Sequence, residues 1–199
     1  MATQTHSNKP LTAAIVEDHQ EMYGYYDQYK KAEGDADAQG RWGRQLTWEI
    51  ARHAVGEEII VYPLMEKHLG EEGLQLANHD RDEHQVVKEL LSRLESLNAG
   101  TEEYDSTISK VMTHLHSHND DEEQKDLPKL EQKLHPDHSQ EAANQFERTK
   151  QFVPTRAHPM APNKPPYETF VGFLAAPIDK LKDYFSSFPT EEMKQKAGM

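Results

Sequence analysis

HAVGEEIIVYP at residues 53–63 and HNDDEEQKDLP at residues 118–128 state one arrangement twice. Each opens on a histidine, His53 or His118, continues with paired glutamates, Glu57-Glu58 or Glu122-Glu123, and closes on a proline, Pro63 or Pro128. The same shift of 65 residues lays His19 on His84 and Glu66 on Glu131. It also lays the steps His19-Met22-Tyr26-Tyr29 on His84-Val87-Leu91-Leu94. Steps of three and four are the spacing of one helix face. The chain therefore contains an internal repeat of a helical hairpin.

Working outward, Leu11, Ile15, His19, Met22, Tyr26 and Tyr29 mark a first helix over about residues 10–33. The turn residues EGDADAQG follow. A second pattern through Trp42, Leu46, Ile50, His53, Glu57 and Ile60 covers about residues 41–69 and stops at Gly70. A third, with His84, Val87, Leu91 and Leu94 on one face, covers about 74–97, and a fourth covers about 103–135. Pro63 and Pro128 lie inside the second and fourth, where each removes a hydrogen bond and is expected to kink the last turns. Four long amphipathic helices with short connections predict an all-α fold, an up-down-up-down antiparallel four-helix bundle. No segment reads as a strand. The expected organisation is an N-terminal tail at 1–9, the bundle at 10–136 and a C-terminal extension at 137–199. In the extension, a polar helix is expected over about residues 139–152, then an extended proline-rich run, VPTRAHPMAPNKPP. Short amphipathic pieces around Pro177 follow, with Phe170, Phe173, Leu174, Ile178, Leu181, Phe185 and Phe188 on one stripe. That stripe is expected to fold back onto the bundle, with docking of a protein partner as the alternative.

Composition narrows the chemistry. The 199 residues include no cysteine, which excludes disulfides, thiolate nucleophiles and iron–sulfur clusters. A formal charge of −13 opposes binding to nucleic acid or an anionic membrane surface. No apolar run is long enough for a transmembrane span, and no signal-peptide pattern opens the chain, so a soluble, cytoplasmic protein is expected.

Spacing then fixes height. Residues equally distant from a turn sit at one level of an antiparallel hairpin, because both helices rise by the same amount per residue. The midpoint of His19 and His53 falls in EGDADAQG, that of His84 and His118 at Thr101, and that of His53 and His84 beside Gly70. All four histidines reach one layer. Glu57 and Glu122 share their histidines' faces one turn along. Four imidazoles and two carboxylates inside an apolar bundle are too costly to bury unless something satisfies them. Two cations bridged by carboxylates do so. Nitrogen and oxygen donors without sulfur favour iron or manganese, with zinc possible.

On His19 in IVEDHQEM, His53 and Glu57 in HAVGEE, His84 in RDEHQVVKEL, and His118 and Glu122 in HNDDEE, the chain resembles the hemerythrin-like HHE cation-binding domains. The proline-containing tail is similar to that of fungal members. The resemblance implies a non-haem centre of two Fe ions, cycling between Fe2+ and Fe3+, bridged by the two glutamates and an oxo or hydroxo group. It implies dioxygen, peroxide or nitric oxide as small ligands. The oxygen-carrying members present a further histidine four residues before the one on the third helix, where this chain has Asp80. Either Asp80 is an additional ligand, or the site has four histidines and open coordination positions. Both favour redox chemistry on small molecules over simple carriage.

His114 and Glu49, one turn before His118 and His53, are candidates to orient ligands by hydrogen bonding. Tyr23, one turn after His19, is a candidate for the oxygen-binding side. Glu58 and Glu123 point about 100° from their neighbours and are expected to be solvated or salt-bridged. His6, His68, His116, His135, His138 and His158 show no convergent pattern. The expected function is a di-iron protein that binds or reacts with dioxygen or a related molecule. The alternatives are a di-iron redox enzyme acting on an organic substrate or peroxide, an iron or oxygen sensor, and a structural zinc site.

Overall fold

The four amphipathic patterns become four long helices, and the residues between them dictate where each begins. The computed structural model describes residues 9–164 and 167–199, the side chains of 167–173 excepted. The expected tail up to residue 8, with His6, and the side chains of Phe170 and Phe173 lie outside the described residues.

Helix α1 spans Leu11–Lys31, α2 Ala36–Leu69, α3 Glu71–Glu95 and α4 Glu102–Asp121. α2 begins at Ala36, not near residue 41, because the Asp35 carboxylate accepts from the Ala38 N–H and caps it. Gly70, at φ 63°, lets α2 reverse directly into α3. Thr101 caps α4 by accepting from the Tyr104 N–H. Sequence neighbours pack on one another, α1 on α2, α2 on α3 and α3 on α4. The ring is closed by Tyr29, which donates to Asp105, and Asn119, which donates to Tyr23.

Pro63 stays inside an unbroken α2. The expected distortion is instead confined to the fourth helix, where α4 runs into a π-helical turn, Glu122–Asp126, before the short α5, Leu127–Glu131. A single π turn widens the helix by one residue and is common at functional sites. It lets Pro128 stand in the first turn of α5, where its missing N–H leaves no bond unmade.

Two apolar clusters fill the bundle. One holds Met22, Trp42, Leu46, Ile50, Val87, Leu91, Ile108 and Leu115; the other holds Leu11, Ile15, Val61, Met65, Ala77, Leu127 and Phe146. Along each helix the histidine falls between a residue of the first cluster and one of the second. The predicted polar layer is thus clamped between two dry ones.

In the extension, α6, Pro136–Thr149, packs on α1 and α2, with Phe146 fully buried. The chain then passes α3 as a strap, to which Arg81 and Gln85 donate at the Asn163 and Pro159 carbonyls. α7, Tyr167–Tyr184, and α8, Glu191–Ala197, follow. α7 is continuous through Pro177, and most of the expected apolar stripe is not folded back: Leu174, Ile178, Leu181 and, just beyond the helix, Phe185 are exposed, while Phe188 is half-buried against the bundle beside Arg44 and Trp48. Polar anchors set its orientation instead. The Thr155 N–H and His158 Nε2 donate to Asp179 Oδ2, and Thr155 Oγ1 donates to Asp183, which turns Ala176 and Asp179 inward. Among the described residues, no helix is long and apolar enough to cross a membrane.

The tight α2–α3 reversal gives a test of the fold alone. A Cβ on Gly73 would lie 2.0 Å from the Met65 carbonyl oxygen. Gly73→Ala is expected to cost about 1–3 kcal/mol by overpacking, measured by urea denaturation, with metal content per folded chain unchanged.

Candidate metal centre

The bundle brings the six predicted residues together, and their mutual geometry is that of two paired sites. His19 Nε2 lies 3.1 Å from His53 Nε2, across α1 and α2. His84 Nε2 lies 3.0 Å from His118 Nε2, across α3 and α4. The glutamates stand between the pairs. Glu57 is 3.1 Å from His53 Nε2 and 3.4 Å from His84 Nε2, while Glu122 is 3.7 Å from His19 Nε2 and 3.8 Å from His118 Nε2. Each carboxylate thus faces one histidine of each pair. His19, His53, Glu57 and Glu122 form one group able to hold a metal ion, and Glu57, His84 and His118 form another, with Glu57 common to both.

The outer nitrogens explain why the inner ones point inward. His19 Nδ1 meets Glu123 at 2.7 Å, His53 Nδ1 meets Asp18 at 3.0 Å, His84 Nδ1 meets Glu58 at 3.1 Å, and His118 Nδ1 meets Glu83 at 2.9 Å. An ionised carboxylate can only accept, so each Nδ1 carries the proton and each Nε2 keeps its lone pair for a metal. Glu58 and Glu123 are therefore not merely solvated or salt-bridged residues. They orient His84 and His19 on neighbouring helices. Asp18 and Glu83, which spacing alone did not single out, do the same for His53 and His118. All four obey the shift of 65, Asp18 on Glu83 and Glu58 on Glu123.

The residues fit a metal on two observations. Glu57 and Glu122 are fully buried, and none of their four carboxylate oxygens has a hydrogen-bond partner among the described residues. Each facing Nε2 pair also needs a cation between its lone pairs. Without metal a proton takes that place. Burial opposes a charge on His53, but Glu57 and Asp18 outweigh it and raise its pKa to about 10, while burial and His53 push His19 down to about 3. The second pair repeats this: burial is outweighed at His84 by Glu57 and Glu58, which raise it, whereas burial and His84 lower His118. Burial, with Glu57 and Asp80 nearby, raises the Glu122 carboxyl well above the ordinary range. The proton on His53 must leave as metal enters, and the upward shifts of His84 and Glu122 act in the same direction. Uptake is expected to release protons at pH 7 and to weaken as pH falls. Calorimetric titrations in buffers of different ionisation enthalpy measure this, and buffer-independent heats contradict it.

The remaining candidates divide. Asp80 is buried, offers an oxygen within 4.8 Å of ligand atoms of Glu83 and His118, and leaves Oδ2 unpartnered among the described residues. Burial, then Asp126, raises its pKa to about 8. His114 is exposed on α4, so it does not orient His118. Glu49 is buried but pairs with Arg52, 3.5 Å away. Tyr23 turns to the outer edge of the bundle, where its ring stacks on His116 and its hydroxyl accepts from Asn119. The phenol at the centre is instead Tyr62, fully buried, with its hydroxyl 3.1 Å from His84 Nε2. It lies about 140° around a regular helix from Glu57, outside any single stripe. α2 buries a wider arc because α1, α3 and α6 all pack on it.

Comparison with known proteins gives one family. The model of the hemerythrin HHE cation-binding domain matches residues 11–130. An uncharacterised hemerythrin-like protein of Schizosaccharomyces pombe is 49% identical over 179 residues, covering 90% of this chain and 88% of its own. A match of that length in a chain of 199 runs through most of the extension as well as the bundle. No solved structure matches significantly.

Proposed function

The chain belongs to the hemerythrin HHE cation-binding domain family, and from that premise we propose that it holds a non-haem pair of iron ions that reacts with dioxygen, peroxide or nitric oxide inside the cell. The observation that carries this reading is the placing of each glutamate between one histidine of each pair. A bound ferrous pair supplies two electrons to one small oxidant. The protein's part is positional. His19 and His53 would hold one ion and His84 and His118 the other, each imidazole fixed by the carboxylate on its Nδ1. Glu57 and Glu122, each facing one histidine of each pair, would offset part of the charge. Tyr62 presents a hydroxyl at the His84 end, able to donate to a bound small molecule. The two apolar clusters exclude bulk water, which strengthens every charge interaction between them.

An organic-substrate enzyme needs an opening between the bundle and the tail. Of the openings there, the one bordered by Ala51, Val55, Lys88, Pro154 and Ala175 measures about 30 Å³, room for a water or two, while the one bordered by Asp18, Trp48, Arg52, Lys150 and Phe188 measures about 720 Å³. The space beside the tail therefore does not by itself select small ligands. In the same reading, the exposed Leu174, Ile178 and Leu181 of α7 are the surface offered to a protein partner.

Anaerobic loading with ferrous iron, followed by air and then hydrogen peroxide, tests the proposal. Two irons per chain and an oxygen-dependent visible absorption are expected. Tight zinc binding with no iron-dependent spectrum would move the assignment to a structural site.

A further inference from the structure

The four carboxylates that hold the histidines obey the repeat, but what holds the carboxylates does not. Lys150 Nζ lies 2.6 Å from both oxygens of Asp18, and Lys88 Nζ lies 2.6 Å from both oxygens of Glu58. All four side chains are buried. The repeat partners of these carboxylates, Glu83 and Glu123, keep 30% and 26% of their side-chain surface exposed and have no lysine against them in the described structure. The shift of 65 lays Lys88 on Tyr23. Lys150 has no place in the repeat at all, because it follows α6, beyond the family-matched residues 11–130.

Several contacts fit α6 to this position. Phe146 sets its ring edge-on to His53, with centroids 5.6 Å apart. Gly56 leaves the space, since a Cβ there would lie 2.8 Å from the Phe146 ring. Arg52 Nε donates to the Lys150 carbonyl at 2.9 Å. The extension thus places a cation two hydrogen bonds from the outer nitrogen, Nδ1, of His53.

We propose that the extension is a working part of the metal centre: Lys150, through Asp18, positions His53 and sets how strongly it donates to the metal, as Lys88 does through Glu58 for His84. This deepens the proposed function and rests on it. A carboxylate accepting the Nδ1–H makes an imidazole a stronger donor, and a lysine on that carboxylate tempers the effect. Each ion then has one histidine held by a lysine-neutralised carboxylate and one held by a carboxylate open to solvent. Removing Lys150 leaves a buried negative charge beside the centre, which favours the more oxidised metal.

The test is a redox titration of the iron-loaded full chain, with metal content measured alongside. Lys150→Met is expected to shift the oxidised-to-reduced ratio at fixed potential about tenfold towards oxidised, about 59 mV for a one-electron step. Lys150→Arg is expected to restore most of the shift. Asp18→Asn alone should move the potential the opposite way, and the Asp18→Asn/Lys150→Met pair should return it near wild type. The single Asp18→Asn and the double variant decide the matter if Lys150→Met does not fold. A wild-type potential in each loaded variant overturns the inference. The His53 Nδ1 proton resonance of the metal-free protein gives a reading without iron. It should move in Lys150→Met, or between Asp18→Asn and the double variant, and an unmoved resonance also overturns the inference. Wild-type protein that takes up no iron would sink the proposed function, and this resonance would still decide whether Lys150 acts on His53.

Discussion

Replacing Glu122 by methionine is expected to stabilise the metal-free protein while abolishing its paired metal site. Glu122 is fully buried, neither oxygen has a hydrogen-bond partner among the described residues, and Glu57 adds negative charge beside it. Exchanging such a group for an apolar side chain of similar volume is expected to raise stability by about 1–4 kcal/mol. For a domain of this size that is roughly 2–4 °C in Tm per kcal/mol. The sign with pH follows from burial. Raising the folded-state pKa above the ordinary 4.5 makes the carboxyl harmless below that value and increasingly costly as pH rises towards the folded pKa. The advantage of the variant is therefore largest at neutral pH and shrinks as pH falls towards 4.5. Thermal melts with and without iron check this. Iron should stabilise wild type strongly and the variant little. A metal-free variant less stable than metal-free wild type at pH 7 would show that Glu122 is a structural residue.

His118→Ala is expected to lower bound iron from two equivalents to one or fewer. His118 is buried, its Nε2 faces His84 at 3.0 Å, and Glu122 lies 3.8 Å from the same nitrogen. Alanine removes half of that imidazole pair. The matched control is His114→Ala one turn earlier, which is exposed and should keep both irons. Elemental analysis of the two folded variants gives the answer, and two equivalents retained in His118→Ala would remove it from the ligand set.

The repeat made much of this centre legible, because helix geometry converts equal spacing into equal height. His19, His53, His84 and His118 could be placed in one layer from midpoints alone, and Glu57 and Glu122 followed by one turn. What spacing along a single helix does not carry is contact between helices. Glu58 and Glu123 sit one residue from a ligand, about 100° off its face, and so read as solvated or salt-bridged, while Asp18 and Glu83, equally placed, are not singled out by spacing. Each reaches the histidine of a neighbouring helix. His114 is exposed because sharing a stripe with a ligand one turn away does not place a side chain inside, and Glu49, though buried, pairs with Arg52. The π turn at Glu122–Asp126 leaves no mark in the hydrophobic pattern. The orientation of α7 does not follow from its apolar stripe, because Asp179 and Asp183 anchor the other face to the strap. Lys150 lay outside the repeat, so no comparison of the two halves could find it.

The central claim is that the two histidine pairs hold metals that share Glu57 and Glu122. Mössbauer spectroscopy of the protein loaded with iron-57 and oxidised in air tests it most directly. The account predicts ferric ions coupled to one another, with a diamagnetic ground state at low temperature. Magnetically isolated ferric ions, or one iron per chain, would contradict it.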